Sequence, residues 1–165
     1  MTNNERKNIT LLLSKGLEKY INPKSDTRIY WAKEVTFDYG KRNSTKRVDY
    51  MKFKPLNNYV SGIEKGDFYC YEIKSCIQDF NSKNGHNFIG DYNYYVMRQS
   101  DFNLLKNSIP YGIGVLALDD TENLKSVKKA RRNNRKISAL EMLLMMYRSW
   151  QREATKDDLF GEETK

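Results

Sequence analysis

The chain has 165 residues, of which 39% are hydrophobic and 30% charged, so one soluble globular domain with a proper core is expected. Its 29 Lys and Arg against 21 Asp and Glu give a net charge of +8, which suits a polyanionic partner or an anionic surface. No run of about 18 apolar residues occurs, and this excludes a transmembrane helix. Residues 1–7 are polar and lead into a short amphipathic segment, which is not a signal peptide.

Cysteine and histidine are both scarce, and this excludes several kinds of metal site and catalytic site. Cys70 and Cys76 have neither CxxC spacing nor a second pair for zinc, so we expect two packed thiols. Unbridged thiols indicate a reducing compartment, so we expect a cytoplasmic protein. A single histidine, His86, excludes nucleases built on paired histidines and zinc sites with two or more histidines. His86 lies in a polar turn, and a surface-loop position is the simplest interpretation. Neither a GxxxxGK[ST] loop nor a GxGxxG loop occurs.

The first half of the chain predicts a helix followed by three strands. Asn3 or Asn4 can cap the helix, which Asn22-Pro23 ends. Strands are predicted at residues 28–39, 47–53 and 67–75, and the segments between them, 40–44 and 54–66, are predicted loops. Three strands in series favour an antiparallel meander.

The second half predicts a helix that starts near Cys76 and breaks near Gly85, a strand at 91–98, a short helix at 100–106 and a buried strand at 111–118. Together these elements predict a mixed α/β fold, a sheet covered by helices. We divide the chain into a core at 1–120, a basic and amphipathic helical extension at 121–155, and a flexible tail at 156–165.

The predicted extension contains two features. Seven of the twelve residues from 125 to 136 are basic: Lys125, Lys128, Lys129, Arg131, Arg132, Arg135 and Lys136. This run is interpreted either as a phosphate-binding surface, whose affinity for nucleic acid would fall as the salt concentration rises, or as a solvated helix face. Residues 137–150 then predict an amphipathic helix, whose stripe would pack on the sheet or form a homodimer. The stripe consists of Leu140, Leu143, Leu144, Tyr147 and Trp150, broadened by Met142, Met145 and Met146.

The segment 67–75 carries the candidate chemistry. Alternation along a strand places Glu72 and Lys74 on one face, about 7 Å apart, at the strand's C-terminal end. If the strand that contains Asp49 pairs with this one, two carboxylates can share a metal ion. Two acidic ligands and a nearby lysine suit Mg²⁺-dependent cleavage of a phosphodiester. The alternative is that Asp49 and Glu72 are solvated cross-strand partners of basic neighbours, worth under about 1 kcal/mol each.

Asp49 followed by Glu72-Ile73-Lys74 resembles the motif of the PD-(D/E)XK nuclease superfamily, and the likeness is closer to its MmcB-type bacterial DNA-repair proteins. The resemblance spans about residues 29–118, and Val48 stands where the superfamily motif has proline. It is carried by Lys33-Glu34-Val35, Arg47-Val48-Asp49, Glu72-Ile73-Lys74-Ser75, Asp79-Phe80 and Asp91-Tyr92-Asn93-Tyr94-Tyr95-Val96. It implies a restriction-endonuclease-like core, a central mixed sheet flanked by helices, to which this chain adds a C-terminal helical extension.

The resemblance also implies a role for each residue of the motif. Asp49 and Glu72 would bind Mg²⁺ or Mn²⁺ together with the carbonyl of Ile73. Lys74 would orient or help deprotonate the attacking water and would stabilise the transition-state charge. Glu34, or with less support Glu5, would be a further carboxylate beside metal-bound water.

Further residues that follow the motif would line the site or contact phosphate: Ser75, Gln78, Asp79 and Lys83. The basic run would add Lys128, Lys129, Arg131, Arg132 and Arg135 as nucleic-acid contacts. The expected protein is a metal-dependent nuclease acting on DNA in repair, recombination or the processing of phage or mobile-element DNA. Two alternatives stay open, a catalytically inactive nucleic-acid-binding module and a helix-mediated interaction protein.

Overall fold

A computed structural model describes residues 2–26, 29–37, 45–82 and 84–160, with side chains described as far as residue 155. Lys83, the predicted loop at 40–44 and the end of the predicted tail lie outside the described residues. The helices are α1 Asn3–Ile21, α2 Val60–Glu64, α3 Ile77–Asn81, α4 Gln99–Leu105 and α5 Ala139–Phe160. The strands are β1 Tyr30–Phe37, β2 Lys46–Lys54, β3 Asp67–Ile73, β4 Tyr92–Arg98, β5 Gly114–Leu118 and β6 Leu124–Lys128.

The six strands form one open mixed sheet in the order β1-β2-β3-β4-β5-β6. The first three pair antiparallel, β3, β4 and β5 run parallel, and β6 pairs antiparallel with β5. The predicted mixed α/β fold, with helices flanking a mixed sheet and a helix at the C-terminal end, is confirmed, as is the meander. Within the described residues, no helix combines the length and apolar character needed to cross a membrane.

Helices cover both faces of the sheet. On one face α1 packs Leu13, Leu17 and Ile21 against β2 to β5. On the other face α5 covers the β1–β3 half of the sheet, and α3 and α4 cover Tyr95 and its neighbours. Glu72 points to this second face, because it alternates with Tyr71 and is registered with Tyr95 on β4. The boundary between the two covered areas therefore holds a carboxylate.

The cap of the first helix lies one residue before Asn3 and two before Asn4, the two predicted caps. Thr2 is the N-cap, and its hydroxyl accepts from the Glu5 backbone N–H at 3.3 Å. The Glu5 carboxylate accepts from the Thr2 backbone N–H at 2.6 Å, which completes a capping box. The cap thus uses the Glu5 side chain, so its proposed role as a metal-site carboxylate is not supported by the geometry.

The basic run was predicted to be helical, and the structure differs. Residues 124–128 form the edge strand β6, and residues 129–136, which we call the strap, continue without helix across the N-terminal ends of β5, β4 and β3. The strap obtains its backbone partners from the sheet: Arg131 N–H donates to the Gly112 carbonyl at 2.9 Å, and Asn133 N–H donates to the Asp91 carbonyl at 2.8 Å. These bonds replace those of a helix. Residues on both sides of position 120 therefore share one sheet.

The C-terminal helix packs on the sheet, as one of the two predicted alternatives had it, but through methionines that were expected only to broaden its stripe. Met142, Met146 and Ser149 are buried against the sheet, whereas Leu140 is 79% exposed and Trp150 is 58% exposed. Met142 lies two residues after Leu140, about 200° around the helix, so the buried face is turned away from Leu140. The helix also begins at residue 139 and runs to residue 160, into the segment predicted as tail. Cys70 and Cys76 are buried and unbridged, which confirms the prediction of packed thiols.

One buried carboxylate ties together the strap and the starts of β3 and β4. Asp91, which is 3% exposed, accepts from the Phe68 N–H at 2.9 Å and from Arg135 Nε at 3.1 Å. The Arg135 guanidinium also lies over the Phe68 ring, 4.9 Å from its centroid. A buried carboxylate needs such compensation, because leaving an unpaired charge in the interior is costly.

We expect Asp91→Ala to lower the free energy of unfolding by about 3–5 kcal/mol, since it leaves the Arg135 charge and the Phe68 N–H without their partner. Urea unfolding followed by circular dichroism measures this. Asp67→Ala is the matched control, because Asp67 pairs with the exposed Arg132 at 3.1 Å and should cost under about 1 kcal/mol. Equal losses in the two variants would contradict the assignment of Asp91 as the central carboxylate.

Candidate active site

The site begins where the pairing of β2 with β3 ends. The last registered pair is Tyr50 with Tyr71. Beyond it, Asp49 Oδ2 accepts from the Ile73 N–H at 2.8 Å, so a side chain takes the place of a ladder bond. On the other edge of β3, the Lys74 N–H donates to the Val96 carbonyl at 2.8 Å.

These bonds fix the direction of the Ile73 peptide groups. Because the N–H and C=O of one strand residue point to the same side, the Ile73 carbonyl is directed toward β2, as its N–H is. The Asp49 carboxylate and the Ile73 carbonyl thus lie at the same gap between β2 and β3. Both are oxygen ligands of the kind that hard divalent cations prefer.

Glu72 is a buried carboxyl group beside this gap. It is 2% exposed, and its Oε1 has no hydrogen-bond partner among the described residues. Burial, followed by the charge of Asp49, raises the pKa of Glu72 to about 8, against the opposing effects of Lys74, the Asn87 N–H and Arg47. Burial also raises the pKa of Asp49, although the Ile73 N–H opposes the shift. The two carboxyl groups thus repel each other in a site with too little compensating charge.

Lys74 completes the group and is also buried, at 2% exposure. Its Nζ donates to the Asn84 carbonyl at 2.6 Å, and burial lowers the pKa of this ammonium group. The loop above it reaches Gly85, whose φ of +66° is one that other residues rarely adopt. A Cβ there would lie 2.8 Å from Lys74 Nζ and 2.9 Å from Glu72 Oε2. The loop therefore closes over both side chains, and any side chain at position 85 would have to displace their polar ends.

Ser75 and Asp79 follow the motif but are used to start α3. The Asp79 carboxylate accepts from the Ser75 N–H and from the Ser75 hydroxyl, each at 3.1 Å. Arg6 of α1 pairs with the same carboxylate at 2.8 Å. Ser75 is 1% exposed, so its hydroxyl is not available to a phosphate in this arrangement, whereas Gln78 is exposed on α3.

Arg6 was not singled out from the sequence. Its positive charge contributes to lowering the pKa of Lys74, so it lies within electrostatic reach of the site, and half of its side chain is exposed. Nothing in the sequence indicated that Arg6 lies near the site, because Arg6 is on α1 and Asp79 on α3, and only the packing of α1 brings them together.

Glu34 lies on β1 opposite Asp49, at the exposed edge of the site, which we call the rim. The β1–β2 register passes from the Lys33–Tyr50 pair to the Val35–Val48 pair and omits Glu34, whose φ is +51°. Its carboxylate pairs with Arg47 at 2.9 Å and is 44% exposed, and its negative charge raises the pKa of Asp49. Glu34 is thus a neighbour of the carboxyl pair that an arginine partly neutralises.

The backbone at Glu34 is held by α5. Arg152 Nη2 donates to the Glu34 carbonyl at 2.8 Å, and the Ser149 hydroxyl donates to the same carbonyl at 3.2 Å. Ser149 also contacts the Lys33 carbonyl. A non-glycine residue with positive φ costs free energy, so these bonds compensate for it.

His86 is not a surface-loop residue as predicted but a half-buried support of the loop. Its Nε2 lies 2.8 Å from the Ser82 carbonyl and its Nδ1 lies 2.5 Å from the Tyr95 hydroxyl. Because the carbonyl only accepts, Nε2 carries the hydrogen and Nδ1 can accept from Tyr95. Phe80 and Phe88 pack edge-on against the same imidazole ring. The sequence motif gave no sign of this role.

The basic residues proposed for nucleic-acid binding lie elsewhere. Lys128 donates to the Ile109 and Pro110 carbonyls, and Arg131 lies 4.8 Å over the Tyr111 ring. Arg132 and Arg135 pair with Asp67 and Asp91, and Lys129 is exposed. All of these lie at β6 or at the N-terminal ends of the parallel strands, whereas Glu72 and Ile73 end β3. The structure therefore brings together Asp49, Glu72, Ile73, Lys74 and the rim residue Glu34, but not the basic run.

The donor set fits a small hard cation in part. Within the described residues, no group of three or more His, Cys, Asp or Glu side chains is placed to hold a metal ion. Two carboxyl groups and one peptide carbonyl do match Mg²⁺, which commonly takes one or two carboxylates and keeps several waters. The unpartnered buried Oε1 of Glu72 is the feature that a cation would satisfy.

Comparisons with known proteins give information about the fold but none about the chemistry of the site. No family model matches the sequence, and no curated protein matches it. Among solved structures, the SPO1766 protein of unknown function from Silicibacter pomeroyi is similar, with a TM-score of 0.63 over 94% of both chains and 17% sequence identity. At that identity the likeness concerns the fold alone.

The raised pKa of Glu72 predicts a pH-dependent stability. Between about pH 4.5, its ordinary value, and pH 8, the unfolded chain has lost a proton that the folded chain keeps, so the free energy of unfolding falls as pH rises. Glu72→Gln should remove this fall, and its advantage over wild type should grow by roughly 1 kcal/mol per pH unit in that window. Urea unfolding in EDTA measures it, with the exposed Glu64→Gln as control. A constant difference between Glu72→Gln and wild type across the window would refute the shift.

Gly85→Ala should lower the free energy of unfolding by more than the cost of placing alanine in the left-handed backbone conformation. Gly112 is the matched control, because it has a φ of +82° and nothing within 4 Å of the added Cβ. Both substitutions force alanine into the left-handed region at roughly 1–2 kcal/mol, but only Gly85→Ala crowds Lys74 and Glu72. We expect a larger loss of unfolding free energy for Gly85→Ala, together with a changed Glu72 titration in carboxyl-carbon NMR. Equal losses and an unchanged titration would show that the loop has room above the two side chains.

Proposed function

We propose that this protein is a metal-dependent nuclease of the PD-(D/E)XK kind that hydrolyses DNA phosphodiester bonds, with DNA repair or recombination as its setting. The observation that carries the proposal is the buried Glu72 carboxyl group with its unpartnered Oε1, placed beside Asp49 and the Ile73 peptide. A purely structural role would not favour this arrangement, since burying two like-charged carboxyl groups destabilises the fold.

Asp49, Glu72 and the Ile73 carbonyl would hold Mg²⁺ or Mn²⁺. When bound, such an ion polarises the phosphate and lowers the pKa of a coordinated water. A cation at this position would also offset the repulsion that raises the pKa of Glu72, so both carboxyl groups could be ionised near neutral pH. Binding of the ion and ionisation of Glu72 are therefore coupled.

Lys74 would act on the attacking water and on the charge of the transition state. Its pKa is lowered by burial, so the neutral amine that can take a proton is easier to reach than in an exposed lysine. The Asn84 carbonyl positions its Nζ at 2.6 Å, and the Gly85 loop closes over a side chain that is 2% exposed. A positioned, desolvated amine fits the proposed role.

The rim offers contacts for the DNA backbone. Arg6 is half exposed and acts electrostatically on Lys74. Arg47 is 63% exposed and acts on both carboxyl groups of the site. Both arginines could therefore neutralise phosphates at the rim. Gln78 is exposed on α3 nearby. We propose these three as the DNA contacts closest to the scissile bond, in place of Ser75. The basic residues of β6 and the strap could only contact DNA that extends to the opposite end of the sheet.

Cleavage of plasmid, branched DNA and single-stranded RNA, each with Mg²⁺ or Mn²⁺ and then with EDTA, tests the proposal. We expect metal-dependent cutting of DNA by wild type and a loss of roughly 10²-fold or more in Asp49→Asn and Glu72→Gln, since each removes an anionic ligand. Lys74→Ala should lose turnover but bind the metal nearly as well as wild type, as measured by calorimetry. Asp120→Asn, an exposed carboxylate on the β5–β6 connection, is the control.

Wild-type cleavage with no loss in Asp49→Asn would place the chemistry elsewhere. If wild type binds DNA but cuts nothing with either metal, the protein is an inactive binding module that keeps the fold. If RNA but not DNA is cut, the substrate assignment is wrong while the site assignment stands.

A further inference from the structure

A cavity lies on the opposite face of the sheet from Glu72, near the C-terminal end of α1. It encloses about 180 Å³. Its walls include four tyrosines and two lysines: Tyr20, Lys52, Lys54, Tyr69, Tyr71 and Tyr94. Tyr69 and Tyr71 alternate with Glu72 along β3, so this cavity and the candidate active site open on different faces.

The aromatic wall is built from two stacked pairs across the parallel strands. Tyr69 stacks on Tyr92 with ring centroids 4.9 Å apart and planes within 15°. Tyr71 stacks on Tyr94 at 5.6 Å and 25°. Because strand residues two apart share a face, the pairs lie side by side and form one aromatic surface. Tyr20, from the end of α1, adds a further ring that is 43% exposed.

The cationic edge consists of Lys52 and Lys54, which lie on one face of β2. Lys52 is the cross-strand partner of Tyr69, which brings its ammonium group to the aromatic wall. Burial and the like charge of Lys54 lower the pKa of Lys52. Across the described part of the chain, no carboxylate lies within ion-pair distance of either lysine, although Lys52 Nζ does reach the Ile21 carbonyl at 3.4 Å. Lys54 is also the cross-strand partner of Asp67, but the Asp67 carboxylate pairs with Arg132 at 3.1 Å. Two neighbouring lysines whose cross-strand carboxylate is paired elsewhere favour binding of an anion.

We propose that this cavity binds one nucleotide unit, with its base against the tyrosine rings and its phosphate on Lys52 and Lys54. Rings that stack bind any base, since every base has a flat π face. A cavity of about 180 Å³ is smaller than the ~300–1,000 Å³ of pockets for drug-sized ligands, so a single ring system is the occupant of the right size. The unit can come from a free mononucleotide or from a single strand of nucleic acid. The inference stands whether or not the carboxyl groups on the other face cut DNA.

The experiment uses the full chain in EDTA, so that no cleavage intervenes. Calorimetry measures the binding of deoxyadenosine 5′-monophosphate, of a ten-nucleotide single strand of deoxyadenosines, of the matching duplex and of inorganic phosphate. We expect Tyr69→Leu and Lys52→Gln to weaken binding of the nucleotide or the single strand roughly tenfold. Tyr69→Phe keeps the ring and should bind as wild type does, which separates loss of stacking from loss of fold. The exposed Tyr59→Leu and Lys106→Gln are the matched controls.

Each outcome has a defined meaning. Tighter binding of the single strand than of the mononucleotide supports a nucleic-acid strand as the source, and equal binding supports a free nucleotide. Unchanged binding in both Tyr69→Leu and Lys52→Gln, or inorganic phosphate bound as tightly as the nucleotide, overturns the proposal. Because the titrations are made in EDTA and the nuclease test requires Mg²⁺ or Mn²⁺, failure of this proposal is distinguishable from failure of the nuclease proposal.

Discussion

The buried Asp91 carboxylate is the interaction on which the arrangement of the sheet depends. It receives the Phe68 N–H at the start of β3 and Arg135 from the strap, and its own carbonyl receives Asn133. One end of the parallel strands is thereby held by backbone hydrogen bonds and by the paired charges of Asp91 and Arg135. The other end is left with Asp49, Glu72 and Lys74 in partly or fully buried positions, where desolvation disfavours their charged forms. The interactions of Asp91 thus stabilise one end of the strands, and the buried titratable groups lie at the other end.

The fold followed from local patterns, and so did the central group of the site. Strand alternation placed Glu72 on the same face as Phe68 and Cys70, and the serial strands predicted the meander, because both depend on residues close in the chain. The strand β6 could not be predicted, since its basic sequence lacks apolar alternation and it forms by pairing with β5. The stripe of α5 was ambiguous, because Leu140 with Tyr147 and Met142 with Met146 are both apolar rows at helical spacing. Only the sheet decides which row is buried.

The supports of the site depend on contacts between segments far apart in the chain. Arg6 reaches Asp79 because α1 crosses the sheet, and His86 reaches Tyr95 because the loop folds back on β4. Gly85 illustrates the same limit: glycine in a polar turn is ordinary in sequence, and its necessity appears only when Lys74 Nζ and Glu72 Oε2 are seen beneath it. Residue types predicted the candidate groups of the site, whereas tertiary packing determined their environment, and the environment sets their pKa values.

The bonds from Ser149 and Arg152 to the Glu34 carbonyl make the edge of the site depend on α5. This helix holds the left-handed backbone of a residue opposite Asp49, so the rim of the site and α5 form one structural unit. A chain that lost the helix would keep every acidic side chain of the site but not the scaffold that orients its edge. Grafting the sheet alone onto another protein would transfer the residues without their geometry.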